Sequence, residues 1–365
     1  MDLDARVEAW ASLQLIEALR PRAFFDLLKA FGGPTQVRAA SRASLARVVS
    51  PEIAGAIVRG PEAAALDRVL MWLGGEGHWL VAWDDPHYPA ALLTLTDPPP
   101  VFHYAGRREL LNRQSLAIVG SRNATPRGTE HAEAFATALS DAGFTIVSGL
   151  ALGVDTGAHR GGLAGAARSV AVVGTGLDSV YPPANKALAL RLALEGGLLS
   201  EFPLGTPPLP ANFPRRNRVL SGLARGVLVV EATLNSGSLI TARFAAEQGR
   251  EVFAIPGSID SPFSKGCHRL IRDGAKLVET AADVLEELGL AIPASASPAP
   301  PLAPSPDGSN AGDRVLAALG HDPAGVDVLA SRTGLPADIV MATLVELELN
   351  GRVALLPGGA YQRSG

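Results

Sequence analysis

The chain has 365 residues, which is enough for two or three domains and excludes a single small module. Hydrophobic residues make up 47% of the chain and charged residues 19%, a composition typical of folded globular proteins and not of disordered ones. The 32 basic and 36 acidic side chains give a net charge of −4, which excludes a protein that coats duplex DNA through bulk charge.

The charge is distributed unevenly along the chain. Residues 1–104 carry 9 basic and 12 acidic side chains, residues 105–290 carry 19 and 17, and residues 291–365 carry 4 and 7. The middle is therefore +2, between two flanks of −3 each. Of the basic residues 28 are Arg, which fits either phosphate recognition by guanidinium groups or the base composition of the genome. The positive charge of residues 105–290 is therefore compatible with an anionic partner.

Several kinds of site are absent from the sequence. Cys267 is the only cysteine, so neither a disulfide framework nor a cysteine metal cluster is expected, and a reducing cytoplasm fits. No His-Glu-x-x-His motif and no complete phosphate-loop motif occurs, so we expect no metal and no cofactor. The first residues are acidic, without the apolar segment of a signal peptide, and no apolar run approaches the roughly 20 residues that cross a bilayer. We expect a cytoplasmic protein with no membrane partner.

The first 60 residues predict a small helical domain. Val7, Trp10 and Leu13 have helical spacing, and a second apolar run around Phe24 is broken at Gly32-Gly33-Pro34. The pattern fits a helix-hairpin-helix-like or a sterile-alpha-motif-like unit. The acidic balance of residues 1–104 as a whole does not favour DNA binding.

Residues 61–290 predict an α/β domain with an extended Rossmann-like parallel sheet. Short aliphatic runs alternate with amphipathic segments, which indicates a parallel sheet covered by helices on both faces. In such sheets ligands bind at the carboxyl ends of the strands. The predicted strands are Leu116–Val119, Phe144–Val147, Ser169–Val173, Leu198–Leu199, Val227–Val230 and Glu251–Ile255.

The first of these strands runs into Gly120, Ser121 and Arg122. Thr125 suits the N-cap of the next helix and Pro126 its first residue. Backbone amides, the helix dipole and a guanidinium would then converge on one point, as in an anion site. An ordinary strand-to-helix turn explains the same residues.

The loops after the next two strands carry weaker signals. Asp155 suits an N-cap and His159 lies one turn later, so they form either an acid–base pair or a cap and a packing histidine. Gly174 and Gly176 supply two glycines of a dinucleotide motif, but Ser179 stands where the third belongs.

A basic, acid-free stretch extends from Phe202 to Val230. Its 29 residues include four arginines, and Phe213 lies beside three of them. An aromatic ring next to guanidinium groups suits single-stranded nucleic acid, which needs stacking and phosphate neutralisation. The other interpretation is a solvated helix start with Phe213 in the core. Small-residue turns at 235–241 and a basic segment at 265–269 extend the candidate rim.

Taken together, these motifs resemble those of the DprA/Smf family, the DNA processing protein A of natural transformation. The resemblance covers about residues 115–280. It rests on Val119-Gly120-Ser121-Arg122, the 148–155 segment with Ala158-His159, Gly174–Asp178 with Tyr181-Pro182, Ser200–Pro203, Phe213–Arg218, Ser236–Ala242 and Val252–Gly257.

The resemblance implies a non-catalytic protein that binds single-stranded DNA. It also implies a homodimer that protects incoming strands and loads the RecA recombinase past single-strand-binding protein. His268 departs from the family pattern, which usually has Asn there, so the contact at that position is in doubt. The residues assigned to DNA are Gly120, Ser121, Arg122, Ser148, Gly149, Lys186, Phe213, Arg215, Arg216, Asn217, Arg218, Ser236, Gly237, Lys265 and His268.

Residues 291–312 are rich in Pro, Ala and Ser and predict a flexible linker. Residues 313–365 then read as a winged-helix domain, the layout of many family members. The helix expected to recognise DNA, 337–350, carries three acidic residues and no Lys or Arg. We therefore expect this domain to serve protein contacts or regulation, and removal of 291–365 to cost DNA affinity less than about tenfold.

An enzyme is the alternative from another class, because related Rossmann-like folds hydrolyse N-glycosidic bonds in nucleotides and nucleosides. The acid–base candidates would be Asp155, His159 and Glu231.

Overall fold

The computed structural model describes residues 5–290, 311–320 and 323–364. Six helices come first. The first five pack around Trp10, Phe24 and Ile57, with Ala82 and Val101 from the following strands closing their core, and the sixth packs through Val69 against Ala11. The second helix ends at Gly32, at the predicted break. The helices are α1 (Ala5–Gln14), α2 (Pro21–Phe31), α3 (Pro34–Ala39), α4 (Arg42–Leu45), α5 (Pro51–Arg59) and α6 (Ala63–Leu73).

A nine-stranded sheet follows, and the α/β prediction is confirmed. The six predicted strands are present as β3 to β8, within one residue at each end. The strands are β1 (His78–Ala82), β2 (Val101–Gly106), β3 (Ser115–Val119), β4 (Thr145–Ser148), β5 (Ser169–Val172), β6 (Gly197–Ser200), β7 (Gly226–Val229), β8 (Glu251–Ala254) and β9 (Lys276–Leu277).

The strand order is β1-β2-β6-β5-β4-β3-β7-β8-β9. Every pairing from β6 to β9 is parallel, whereas β1 pairs with β2, and β2 with β6, in antiparallel fashion. The sheet is therefore a parallel Rossmann-like sheet with an antiparallel extension at one edge.

Helices cover both faces of this sheet. Alternate residues of β3 point to opposite faces: Ala117 and Val119 join one core, and Leu116 and Ile118 join the other. The helices of this domain are α7 (Pro126–Asp141), α8 (Val154–Ala164), α9 (Lys186–Glu195), α10 (Asn212–Leu223), α11 (Ser238–Glu247), α12 (Lys265–Arg272) and α13 (Ala281–Glu287). The first core receives α10, α11 and α12, and the second receives α7, α8 and α13.

The C-terminal residues form a winged helix, as predicted. Its first helix begins at Ala311, two residues before the predicted domain start, and most of the predicted linker lies outside the described residues. A three-stranded antiparallel sheet of order β10-β12-β11 provides the wing. The elements are α14 (Ala311–Leu319), β10 (Ala324–Gly325), α15 (Val326–Thr333), α16 (Ala337–Leu349), β11 (Val353–Leu355) and β12 (Ala360–Arg363).

Within the described ranges, no single helix is long and apolar enough to cross a membrane. The consecutive pair α15 and α16 meets the length and composition requirement only when taken together, with a bend of 110° between them.

Candidate nucleic-acid interface

A cleft of about 580 Å³ opens at the carboxyl ends of the parallel strands. The loop after β3, the start of α10 and the turn before α11 form its walls, so three segments far apart in sequence meet there. Of the predicted DNA-contacting residues, the cleft is lined by Gly120, Ser121, Arg122, Phe213, Arg216, Asn217, Ser236 and Gly237.

Close backbone packing holds the loop after β3. The Ser121 amide donates to the Glu231 carbonyl over 2.7 Å. A side chain at Gly120 would place its Cβ 2.6 Å from Val154 and 2.9 Å from the Glu231 carbonyl, so only glycine fits there. Thr125 is the N-cap of α7, as predicted, and its Oγ1 accepts from the Gly128 amide at 2.9 Å. The loop thus presents Arg122 in front of a helix start.

Glu231 braces this loop. Its carboxylate accepts hydrogen bonds from the Thr125 amide at 2.9 Å and from Thr125 Oγ1 at 2.6 Å. Burial raises the pKa of Glu231, and these two hydrogen bonds oppose the shift. A sequence motif could not reveal this role, because Glu231 and Thr125 are 106 residues apart.

Arg122, Phe213 and Tyr181 form an aromatic and cationic cluster on the cleft wall. The Arg122 guanidinium carbon lies 5.3 Å from the centre of the Phe213 ring. The Tyr181 ring lies 5.6 Å from the same ring at an angle of 42°. Phe213 is half-buried and lines the cleft, which rules out the interpretation of a fully buried core residue. Tyr181 was missed as a site residue, although it belongs to a motif of the resemblance.

Arg216 lines the cleft with a buried guanidinium that interacts electrostatically with Asp155. Its Nη1 donates to the Val172 carbonyl, and burial lowers the pKa of Arg216 to about 10, a value at which it is still charged at neutral pH. A Cβ at Gly149 would lie 2.4 Å from this guanidinium, so glycine at 149 makes room for Arg216.

Asp155 does not cap α8, contrary to the sequence prediction, because the N-cap is Gly153. Its carboxylate instead accepts from the amides of Gly149 at 3.1 Å and Ala151 at 3.2 Å, which precede the helix. Burial raises the pKa of Asp155, while the Arg216 charge opposes the shift. Asp155 therefore shapes the loop after β4.

His159 is a packing residue. The Leu150 amide donates to Nε2 over 3.3 Å, which leaves the ring proton on Nδ1, 2.8 Å from Ser169 Oγ. Ser169 in turn donates to the Ile146 carbonyl. Burial lowers the pKa of His159 to about 3, so the ring is neutral at ordinary pH.

Arg218 points away from the cleft into a buried ion pair. Its Nη2 lies 2.5 Å from Glu201, and its Nε lies 3.2 Å from Asp97. Arg215 is more exposed and lies 3.5 Å from Glu201, with its guanidinium over Phe202. The acid-free stretch is therefore partly neutralised by carboxylates outside it.

The remaining predicted residues lie elsewhere. Ser148 is buried and donates to the Ile118 carbonyl at 2.7 Å. Lys186 is exposed at the start of α9 and does not line the cleft. Lys265 and His268 line a separate groove beside β9, where His268 Nε2 lies 3.0 Å from the Gly257 carbonyl.

The chain matches two family models. The model described as "DNA recombination-mediator protein A" covers residues 79–289, and the one described as "DprA winged helix domain" covers residues 297–359. The Smf protein of Escherichia coli (strain K12) is 44% identical over 299 residues, which cover 81% of this chain and 80% of that protein. The DNA processing protein DprA of Streptococcus pneumoniae (strain ATCC BAA-255 / R6) is 47% identical over 203 residues, covering 56% of this chain and 72% of that protein.

Solved structures agree with this assignment. The X-ray structure of DprA from Streptococcus pneumoniae has a TM-score of 0.69 at 36% identity, covering 76% of this chain and 97% of that one. A DprA structure from Helicobacter pylori, described as showing a unique single-stranded DNA binding mode, has a TM-score of 0.52 at 30% identity, covering 57% of this chain and 95% of that one. The chain therefore belongs to the DprA/Smf family of DNA processing proteins.

Proposed function

We propose that this protein binds single-stranded DNA in the cleft and acts in DNA processing during natural transformation. The observation that carries the proposal is the stacking of Arg122 over Phe213 at the cleft wall. A guanidinium neutralises a phosphate, and an aromatic ring stacks on a base that is not paired. Arg122 is exposed and forms no ion pair with any residue that the structure describes, so its charge is available to a ligand.

The chemistry of the cleft favours a single strand over a duplex. In a duplex the bases are stacked on one another, and Phe213 and Tyr181 would have no free face to contact. Ser121 and Asn217 also line the cleft and supply polar groups, but the lining contains no dense row of cations. A narrow site of this kind suits a few nucleotides of one strand.

The hydrolase alternative receives less support from the same geometry. Glu231 and Asp155 accept hydrogen bonds from backbone amides and so hold two loops in place, and His159 is buried and neutral. A general acid or base must reach its substrate with a proton to exchange, and these groups are occupied in holding the fold.

The test combines two measurements on the full chain. Fluorescence binding to oligothymidylates of graded length at two salt concentrations is expected to give a salt-dependent isotherm. A turnover screen with nucleoside monophosphates is expected to give no product. Turnover without oligonucleotide binding would reverse the assignment.

We further propose that the protein loads the RecA recombinase past single-strand-binding protein, as the family resemblance implies. The test is strand exchange by RecA on DNA coated with single-strand-binding protein. Addition of this protein is expected to shorten the lag before exchange, and an unchanged lag would contradict the proposal.

A homodimer is also proposed, through the groove beside β9. Leu234, Ile259 and Leu277 are exposed apolar residues of this groove of about 500 Å³, next to the last strand of the sheet. Exposed apolar surface beside an edge strand is typical of an interface. Sedimentation is expected to show two chains per particle for the wild type and one for Ile259→Glu. Leu190→Glu, an exposed position on α9, is the control and should stay dimeric. Dimers in both variants would exclude this surface.

Phe213→Ala is expected to weaken oligothymidylate binding by about 1–3 kcal/mol, because one stacked base loses its platform. The slope of affinity against salt should stay unchanged, since no cation is removed. Phe213→Tyr retains the ring and is the matched control. If Phe213→Ala changed neither affinity nor fluorescence quenching by DNA, a purely structural role for the ring would be established.

A further inference from the structure

The last helix of the winged-helix domain, α16, carries apolar residues on two opposite sides. One face packs into the domain core through Val340, Leu344 and Leu347. The opposite side carries Met341, Val345 and Leu349, which are spaced four residues apart and so lie in one line along the helix. All three are exposed, Leu349 by 84%. We refer to Met341, Val345 and Leu349 as the α16 stripe.

The α16 stripe does not suit duplex DNA. In helix-turn-helix proteins the second helix enters the major groove and contacts bases, while cations on and around it neutralise phosphates. Here α16 contains no Lys or Arg, and its exposed side chains are apolar or acidic. Docking on DNA would bury these apolar side chains against polar base edges and phosphates, and α16 itself offers no cation to offset that cost.

The charged residues of α16 itself are all acidic. Asp338, Glu346 and Glu348 are all exposed on the same helix. At 3.6 residues per turn, Glu346 and Glu348 lie on opposite sides of the stripe, and Asp338 lies near its N-terminal end. None of the three forms an ion pair with a described residue. An apolar strip between carboxylates is complementary to a partner with apolar residues between Lys or Arg side chains.

Two other occupants fit less well. A second copy of the chain would bring the same acidic borders against each other, and like charges facing across an interface are unfavourable. Residues 291–310 of the chain contain Asp307 as their only charged residue, so they supply no cation to meet the carboxylates.

We propose that the α16 stripe binds a basic amphipathic helix of another protein. The apolar side of such a helix would cover Met341, Val345 and Leu349, while its Lys or Arg residues would pair with Glu346 and Glu348. This proposal is independent of single-stranded DNA binding in the cleft, which lies in the Rossmann-like domain.

The experiment uses fluorescence anisotropy with the full chain and three synthetic peptides of about 18 residues. The probe has Leu at every third or fourth position and Lys elsewhere, one control has the same composition in scrambled order, and the other has Glu in place of Lys. The probe is expected to bind about tenfold more tightly than either control. Leu349→Ser and Val345→Ser should each weaken binding of the probe by about tenfold. Leu194→Ser, a similarly exposed leucine on α9, should have no effect.

Three results would overturn the proposal. Equal binding of the scrambled peptide would show attraction by bulk charge alone. Unchanged binding in Leu349→Ser and Val345→Ser would place the peptide elsewhere on the protein. Binding of a duplex oligonucleotide that is lost in the same two variants would assign the stripe to DNA. Circular dichroism of each variant checks that the fold is retained.

Discussion

Arg122→Ala is expected to weaken oligothymidylate binding by about tenfold or more, because a charge-assisted contact to phosphate is lost. The same change should reduce the steepness of the slope of log affinity against log salt concentration by about 0.7, the contribution of one phosphate on a single strand. Arg122 is exposed beside the Phe213 ring, so stability should be little affected. Binding isotherms at several salt concentrations measure both quantities.

Two variants separate charge from geometry at this position. Arg122→Lys keeps the charge and should restore the slope, but it recovers affinity only in part because an ammonium lacks the planar fork and stacks less well on Phe213. Arg160→Ala removes an exposed arginine of α8 that does not line the cleft and should leave the slope unchanged. If Arg122→Ala kept the wild-type slope, Arg122 would not contact a phosphate.

The sheet was largely predictable from the sequence because its strands are short, buried and aliphatic. Runs such as Leu116–Val119 carry no polar interruption, and each is followed by a glycine-containing loop. The antiparallel strands β1 and β2 were not predicted. His78 and His103 interrupt their apolar pattern. Pairing of β2 with β6, which is distant in sequence, and of β1 with β2 stabilises both segments as strands.

The candidate site was predictable where a loop directly follows a strand. Gly120, Ser121 and Arg122 are placed by the end of β3 and the N-cap at Thr125, and both signals are local. Phe213 and Asn217 also lie in the predicted cleft. Tyr181 could not be identified as a neighbour of Phe213 from spacing alone, because Tyr181 lies in the loop after β5 and Phe213 lies in the first turn of α10.

The arginines of the acid-free stretch show the limit of counting charge along the chain. On α10, Arg215 is exposed, while Arg216 and Arg218 are buried. The carboxylates that interact with them lie outside the stretch: Asp155 is in the first turn of α8, and Glu201 directly follows β6. The absence of acidic residues from this stretch of sequence therefore led to an overestimate of the positive charge at the folded surface.

Arg218→Ala is expected to lower the free energy of unfolding by about 3–5 kcal/mol, because it leaves the Glu201 carboxylate buried without its partner. The side chains of Arg218 and Glu201 are exposed by only 7% and 4%. The Arg218 charge opposes the rise in the pKa of Glu201 that burial causes. Urea unfolding followed by circular dichroism measures the loss, and oligothymidylate binding by the protein that remains folded should be close to wild type.

Two further variants identify the cause of this destabilisation. Arg215→Ala removes a neighbouring, half-exposed guanidinium 3.5 Å from Glu201 and should cost less than about 1 kcal/mol. The double variant Glu201→Leu with Arg218→Met removes both buried charges and should recover most of the stability lost in Arg218→Ala. If the double variant were as unstable as the single one, the loss would come from packing or from the contact to Asp97. If Arg218→Ala were stable but bound DNA more weakly, Arg218 would be assigned to the DNA interface instead.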